Sequence, residues 1–194
     1  VFEGIPFAEV SMSDIEEGID MIGAMAARTN FLASNGEARR ELKQNSISLN
    51  KLLIANRSTV DASNSEFIYP GHLKWPKQVD QLSNPPIGLI VRGQASCLTE
   101  KSIAIVGTRE PSAYGQEMAS EFATAFVNHG WNVVSGGALG IDTCAHVAAL
   151  KSSGKTIAVI ASGVLVDYPS ANSRLFKAIS KNGAVVSEVM PYVQ

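Results

Sequence analysis

Arg109 and the glycine ahead of it are the residues of this chain best suited to hold an anion. They sit in the run Ser102-Ile-Ala-Ile-Val-Gly107-Thr108-Arg109-Glu-Pro111-Ser112-Ala-Tyr114-Gly115. An apolar strand over 103–106 feeds a glycine loop and then a helical pattern. A glycine at a strand end lets a ligand approach the backbone, and the following helix start offers unpaired N–H groups and a partial positive charge. A guanidinium adds a permanent fork-shaped cation suited to phosphate. The spacing is not Gly-x-Gly-x-x-Gly and no Walker lysine follows, so the loop suggests phosphate recognition without specifying a dinucleotide or a triphosphate.

The elements that must position this loop repeat along the chain. Residues 113–128 carry apolar positions at helical spacing (Met118, Phe122, Ala125, Phe126), and 130–134 read as the next strand. A second glycine loop follows, Ser135-Gly136-Gly137-Ala138-Leu139-Gly140-Ile141-Asp142, leading into a helix over 143–150. A third unit has a strand over 156–161, a turn at Ser162-Gly163, a helix over 172–181 and a strand at 185–187. Strands alternating with helices predict an α/β fold, a mainly parallel sheet with helices on both faces. Gly107, Gly137 and Gly163 are then expected on one rim, at the carboxyl ends of the strands where such sheets bind ligands.

Composition bounds the function. With 194 residues, 45% hydrophobic, the chain can bury one α/β domain plus a small extension. No apolar run reaches membrane-spanning length, and no signal segment opens the chain, so no membrane partner is expected. A net charge of −2 argues against coating duplex DNA by bulk electrostatics, while allowing a few cations focused in one groove. Cys97 and Cys144 form no metal or redox motif, which fits a reducing cytosol; Cys144 reads as a small core residue. No metal-ligand or Ser-His-Asp spacing is found, and no cofactor is expected.

Other polar and aromatic residues read as structural. Asp142 and His146 lie four apart on one helix face, Asp142 as a helix cap and His146 packed at the sheet edge. Glu188 is the one carboxylate placed for catalysis, and a hydrogen-bonding role suits it better. Trp75 and Trp131 could stack on bases, though Trp131 reads as packing. Ahead of the sheet, 11–28 read as an amphipathic helix with Ser13 as N-cap and Glu16 in capping-box position, 36–44 as a second helix, and 45–66 as a linker. Tyr69-Pro70-Gly71 marks a turn, and Pro85-Pro86 precedes a strand at 87–91.

These residues resemble the DprA/Smf family of DNA-processing proteins. The likeness runs from Tyr69-Pro70 and Val91-Arg92-Gly93 through Ile105-Val106-Gly107-Thr108-Arg109, Val134-Ser135-Gly136-Gly137-Ala138 with Gly140-Ile141-Asp142, and Gly154-Lys155-Thr156-Ile157, to Tyr168-Pro169, Asn172 and Ser187-Glu188. It covers about residues 66–190, which sets a helical N-terminal extension and linker at 1–65 apart from a domain at 66–194. The resemblance implies an extended Rossmann-like domain, cytoplasmic, not known as an enzyme. It implies binding of single-stranded DNA and loading of a RecA-type recombinase during natural transformation. Arg109 matches a phosphate-contacting arginine, Ser135, Gly136 and Gly137 a loop that cradles the strand, and Asn172 and Arg174 polar residues after Tyr-Pro; Thr108 and Gly163 complete the expected contact set. Leu139 and Ser170 stand where many or some relatives carry a basic residue, which lowers the expected affinity. Family members continue with further segments that hold dimer contacts and much of the recombinase surface, so the domain is read as incomplete at its C-terminus. The alternative is a Rossmann-like enzyme that binds or hydrolyses nucleotides. Such relatives use a Pro-Gly-Gly-x-Gly-Thr loop and a following glutamate, and 135–142 lack the proline, the threonine and that glutamate.

Overall fold

A computed structural model describes residues 65–193, together with Ser34 and the strand residues 48–49 and 52–53. The chain divides into two compact units, Val1–Ile54 and Ala55–Gln194. In the first, β1 (Ser48–Leu49) and β2 (Leu52–Leu53) pair antiparallel with Leu49 opposite Leu52. That hairpin falls inside the stretch read as a linker; the helices expected over 11–28 and 36–44 lie outside the described residues.

The second unit is built on β3 (Glu66–Ile68), β4 (Leu89–Gly93), β5 (Ser102–Ala104), β6 (Asn132–Ser135), β7 (Thr156–Val159) and β8 (Ala184–Ser187). Its helices are α1 (Ala113–Asn128), α2 (Ile141–Lys151) and α3 (Ser173–Asn182). The six strands form one sheet in the order β3-β4-β8-β7-β6-β5. Strands β5 to β8 are mutually parallel, and β4 runs antiparallel to both β8 and β3. The carboxyl ends of β5, β6 and β7 therefore share a rim, and Gly107, Gly137 and Gly163 follow them there as the sequence predicts.

Local chemistry sets the helix ends. The Ser112 hydroxyl accepts from the Gly115 amide at 3.2 Å and caps α1. Beyond its other end Gly130 takes φ +78°, the left-handed conformation in which helices commonly stop. Strand β5 ends at Ala104, two residues earlier than expected. The Ile105 amide still reaches the Val134 carbonyl at 3.0 Å, but Val106 is 68% exposed beside the open edge of the sheet.

The parallel strands follow each other in space as in sequence. Right-handed crossovers then put α1, α2 and α3 on the same face, where α2 packs against both neighbours. Val133 points into this face with Ala123, Ala145, Ala148 and Ala149, small side chains that let α1 and α2 come close. Val134, Ile157, Ala184 and Val186 point to the other, where Trp75, Ala95, Cys97 and Leu98 meet them. Both faces carry helical cover, but unequally: α-helices on one, short 3₁₀ segments such as Ala95–Thr99 on the other. Trp75 is 3% exposed and its indole N–H donates to Asp80 Oδ1 at 2.8 Å, so it is a core residue and no stacking platform.

Beneath α2 lies a neutral histidine. Thr156 Oγ1 spends its proton on the Val133 carbonyl at 2.8 Å, so at 2.7 Å it accepts from Nδ1–H of His146. Nε2 of His146 is left unprotonated, buried and without a partner among the described residues. Burial pushes this imidazole down to about 4, against a smaller opposing pull from Asp142. The folded state thus binds fewer protons than the unfolded chain between pH 6.5 and about 4. Stability from this group is full above the unfolded value and lost as pH falls through that window. Urea unfolding should register a loss of up to about 3 kcal/mol between neutral pH and pH 4 from this site. In His146→Gln that part of the pH slope should be missing; an unchanged slope would place the acid sensitivity elsewhere.

Candidate nucleic-acid interface

The rim is made by three loops, 105–112 after β5, 136–140 after β6 and 160–172 after β7. The first two are locked together through backbone. Gly140 has φ +85°, and a Cβ there would lie 2.4 Å from the Thr108 carbonyl oxygen. The Ile141 amide donates to that same oxygen at 3.2 Å, so the start of α2 is satisfied by the neighbouring loop. Gly107 is equally confined: a Cβ there would sit 2.7 Å from Ile141 Cγ1. Thr108 Oγ1 accepts from the Glu110 amide at 3.2 Å, tightening the turn. What this locked turn leaves outside is Thr108 and Arg109, both exposed. The Arg109 guanidinium makes no hydrogen bond or ion pair with any described residue.

The second loop is held from beneath by side chains expected to face the ligand. Ser135 is 2% exposed and its hydroxyl donates to the Ile105 carbonyl at 2.6 Å. Asn172 is 5% exposed; its Nδ2 lies 3.0 Å from the Gly137 carbonyl, 3.3 Å from that of Ala138 and 2.9 Å from Thr143 Oγ1. Thr143 in turn donates to the Ala138 carbonyl at 2.8 Å. Gly137 is buried at φ +76°, where a Cβ would meet the Phe176 ring at 2.7 Å. Asp142 lies below the same loop and accepts from the Ala138 amide at 3.3 Å. Gly136 remains exposed.

The third loop is covered. The Gly163 amide donates to the Val193 carbonyl at 2.6 Å, and that of Leu165 to Pro191 at 2.9 Å. A Cβ on Gly163 would fall 2.1 Å from the Met190 carbonyl oxygen, so the crossing of residues 190–193 requires a glycine here. Arg92 Nη1 reaches in from β4 to the Val164 carbonyl at 3.1 Å and lies 3.8 Å from Asp167 Oδ1. Asp167 also accepts from Ser173 Oγ, which ties the loop to the start of α3. Arg174, in the first turn of α3, is exposed and, like Arg109, unpaired among the described residues.

The expected contact set thus divides. Thr108, Arg109, Gly136 and Arg174 are exposed on the rim, while Ser135, Gly137, Gly163 and Asn172 are buried and position it. Sequence supplies residue type and not exposure, so it could not separate the exposed group from the buried one. The bracing roles of Asp142, Thr143 and Arg92 carried no comparable signal; only the placement of Asp142 at a helix start hinted at one. Elsewhere, Cys97 is fully buried, and burial pushes its thiol up to about 11, which leaves it unreactive. Among the described residues no group of three or more His, Cys, Asp or Glu could hold a metal ion.

The arrangement can accept an anion from outside but offers it few donors. Truncating the brace should be costly: Asn172→Ala leaves the loop carbonyls without their buried donor and should destabilise the fold by about 1–3 kcal/mol, read as a lower urea midpoint at unchanged m. An unchanged midpoint would mean that the loop is held without this amide.

Comparison with known proteins fits this geometry. DNA processing protein DprA of Bacillus subtilis is 36% identical over 119 residues, 61% of this chain and 40% of that protein. DprA of Streptococcus pneumoniae is 38% identical over 117 residues, 60% of this chain and 41% of that protein. The chain therefore spans about two fifths of the length of these relatives. The X-ray structure of the Streptococcus pneumoniae protein superposes with a TM-score of 0.67 at 27% identity, covering 94% of this chain and 60% of that one. A structure describing the single-stranded DNA binding mode of DNA processing protein A from Helicobacter pylori superposes with a TM-score of 0.60 at 30% identity, over 67% of this chain and 58% of that one. The family model of DNA recombination-mediator protein A matches residues 66–194, most of the chain, and the protein belongs to that family.

Proposed function

We propose that the carboxyl rim of this sheet binds single-stranded DNA through its phosphates. The observation that carries the reading is Arg109, an exposed guanidinium unpaired among the described residues, on a turn whose backbone is locked against Gly140. Arg174 supplies a second cation, unpaired among the described residues, on the same rim, and the exposed Gly136 lets a strand approach the backbone. Cations and amides address phosphates and not base edges, so the chain should take a strand with little sequence preference. The similar DNA processing protein A from Helicobacter pylori, whose structure is described with a single-stranded DNA binding mode, supports the same assignment for this chain. In the whole protein the strand would be passed to a RecA-type recombinase in the cytoplasm during natural transformation, and a homodimer would set two such rims on one strand.

A nucleotide-hydrolysing enzyme is the weaker reading. The carboxylate that follows the second loop is Asp142, 6% exposed and engaged with the Ala138 amide, so it is not presented to a nucleotide.

Arg109→Ala should weaken binding of a labelled oligonucleotide by about 5- to 150-fold, the loss of a charge-assisted hydrogen bond of about 1–3 kcal/mol. Unchanged affinity would remove the strand from this rim. In competition, unlabelled duplex should displace the oligonucleotide less well than unlabelled single strand. The salt slope should match about two to four phosphate contacts. Equal displacement by duplex would overturn the single-strand preference, and release of free base from nucleoside monophosphates would favour the enzyme.

A further inference from the structure

We propose that Asp142 is an internal counter-anion of the second glycine loop and limits how tightly this rim holds a phosphate, an inference that rests on the strand-binding reading above. Its carboxylate is 6% exposed and accepts from the Ala138 amide at 3.3 Å. The same Oδ2 lies 2.9 Å from where a Cβ on Gly136 would stand, directly behind the exposed backbone of the loop. A concave run of loop amides at a helix start is the usual seat for a phosphate oxygen. Here one of those amides already carries a carboxylate oxygen, and another, that of Ile141, carries the Thr108 carbonyl.

Two consequences follow from charge. The partial positive charge at the start of α2 is offset from within by an acidic side chain in its first turn. A phosphate settling on Gly136 also meets a like charge across a thin, poorly solvated layer of backbone, where repulsion is screened less than in water. The carboxylate thus has two effects of opposite sign on binding. It holds the loop in shape, which favours the strand, and it repels the phosphate, which opposes it.

Substitution separates the two. Asp142→Asn keeps an oxygen for the Ala138 amide and removes the charge. It should bind a labelled oligothymidine about 3- to 10-fold more tightly than the parent at low salt, with the difference shrinking as added salt screens the charge. A merely structural role would give no salt-dependent gain. Affinity unchanged or weaker in a folded Asp142→Asn protein overturns the proposal. Asp142→Ser, whose shorter hydroxyl can still accept at a helix start, guards against a folding defect, and loss of the fold in both variants would make Asp142 a structural residue and likewise overturn it. A DNA-free titration with inorganic phosphate, followed by amide resonances, keeps the inference apart from the strand reading. The Gly136 amide should shift in both proteins but with its midpoint at about 3- to 10-fold lower phosphate in Asp142→Asn, and equal midpoints, or no shift in either, overturn the proposal. Arg109→Ala in the same oligonucleotide assay reports on the strand reading alone.

Discussion

The contact between the Thr108 carbonyl and the backbone at Gly140 and Ile141 fixes the rest of the rim. Parallel neighbours β5 and β6 stand only about 4.8 Å apart, so the loops leaving them compete for the same space. The competition is resolved by removing a side chain at Gly140, where any Cβ would collide with Thr108 and Arg109 backbone, and by letting the Ile141 amide close a hydrogen bond across the gap. With those atoms set, the turn at 107–110 is held against the second loop, and Arg109 lies exposed on it. The placement of a solvent-facing cation thus depends on a glycine 31 residues further along the chain.

The same economy runs through the second and third loops. Backbone groups at strand ends are obligatory hydrogen-bonding groups, and each must find a partner or stay wet. At this rim the inner ones are taken by Ser135, Asp142, Thr143, Asn172 and Arg92, and the Gly163 amide by the Val193 carbonyl. The outer amides, of Thr108, Arg109 and Gly136, have no acceptor among the described residues. Buried polar side chains here behave as scaffolding: each is costly to bury unless paired, and each is paired with the loop it supports.

Much of this was legible in the chain itself, for reasons of period and punctuation. Apolar strands ending on glycine, separated by helical spacing, identify the parallel unit from β5 to β8 and the shared rim. What stayed hidden depends on strand order and on contacts far apart in sequence. That β5 to β8 are neighbours in chain order, which stacks all three α-helices on one face, cannot be read from alternation of strand and helix. Strand β3, Glu-Phe-Ile, is too short to show a period. Asn172 reads as a contact until its 35-residue separation from Gly137 is closed by folding, and Gly163 until residues 190–193 are laid over it.

Charge supplies the last constraint. Among the described residues the rim presents two unpaired guanidiniums, on Arg109 and Arg174, against exposed carboxylates on Glu110 and Glu188, a buried one on Asp142 and a half-buried one on Asp167 that faces Arg92. On a chain of net charge −2 this makes no strong positive field, so steering at long range is weak and affinity rests on contact. Contacts of this kind have a functional logic under the proposed role. A protein that must hand its strand to a recombinase is hindered by deep base readout and by dense cation pairing, because both slow release. Phosphate-only contacts on a rigid rim are individually weak and indifferent to sequence, and they can be surrendered one at a time as another protein takes hold of the same backbone. The rigidity of the glycine-locked loops keeps the entropy cost of each contact low, so weak contacts remain productive without many charges.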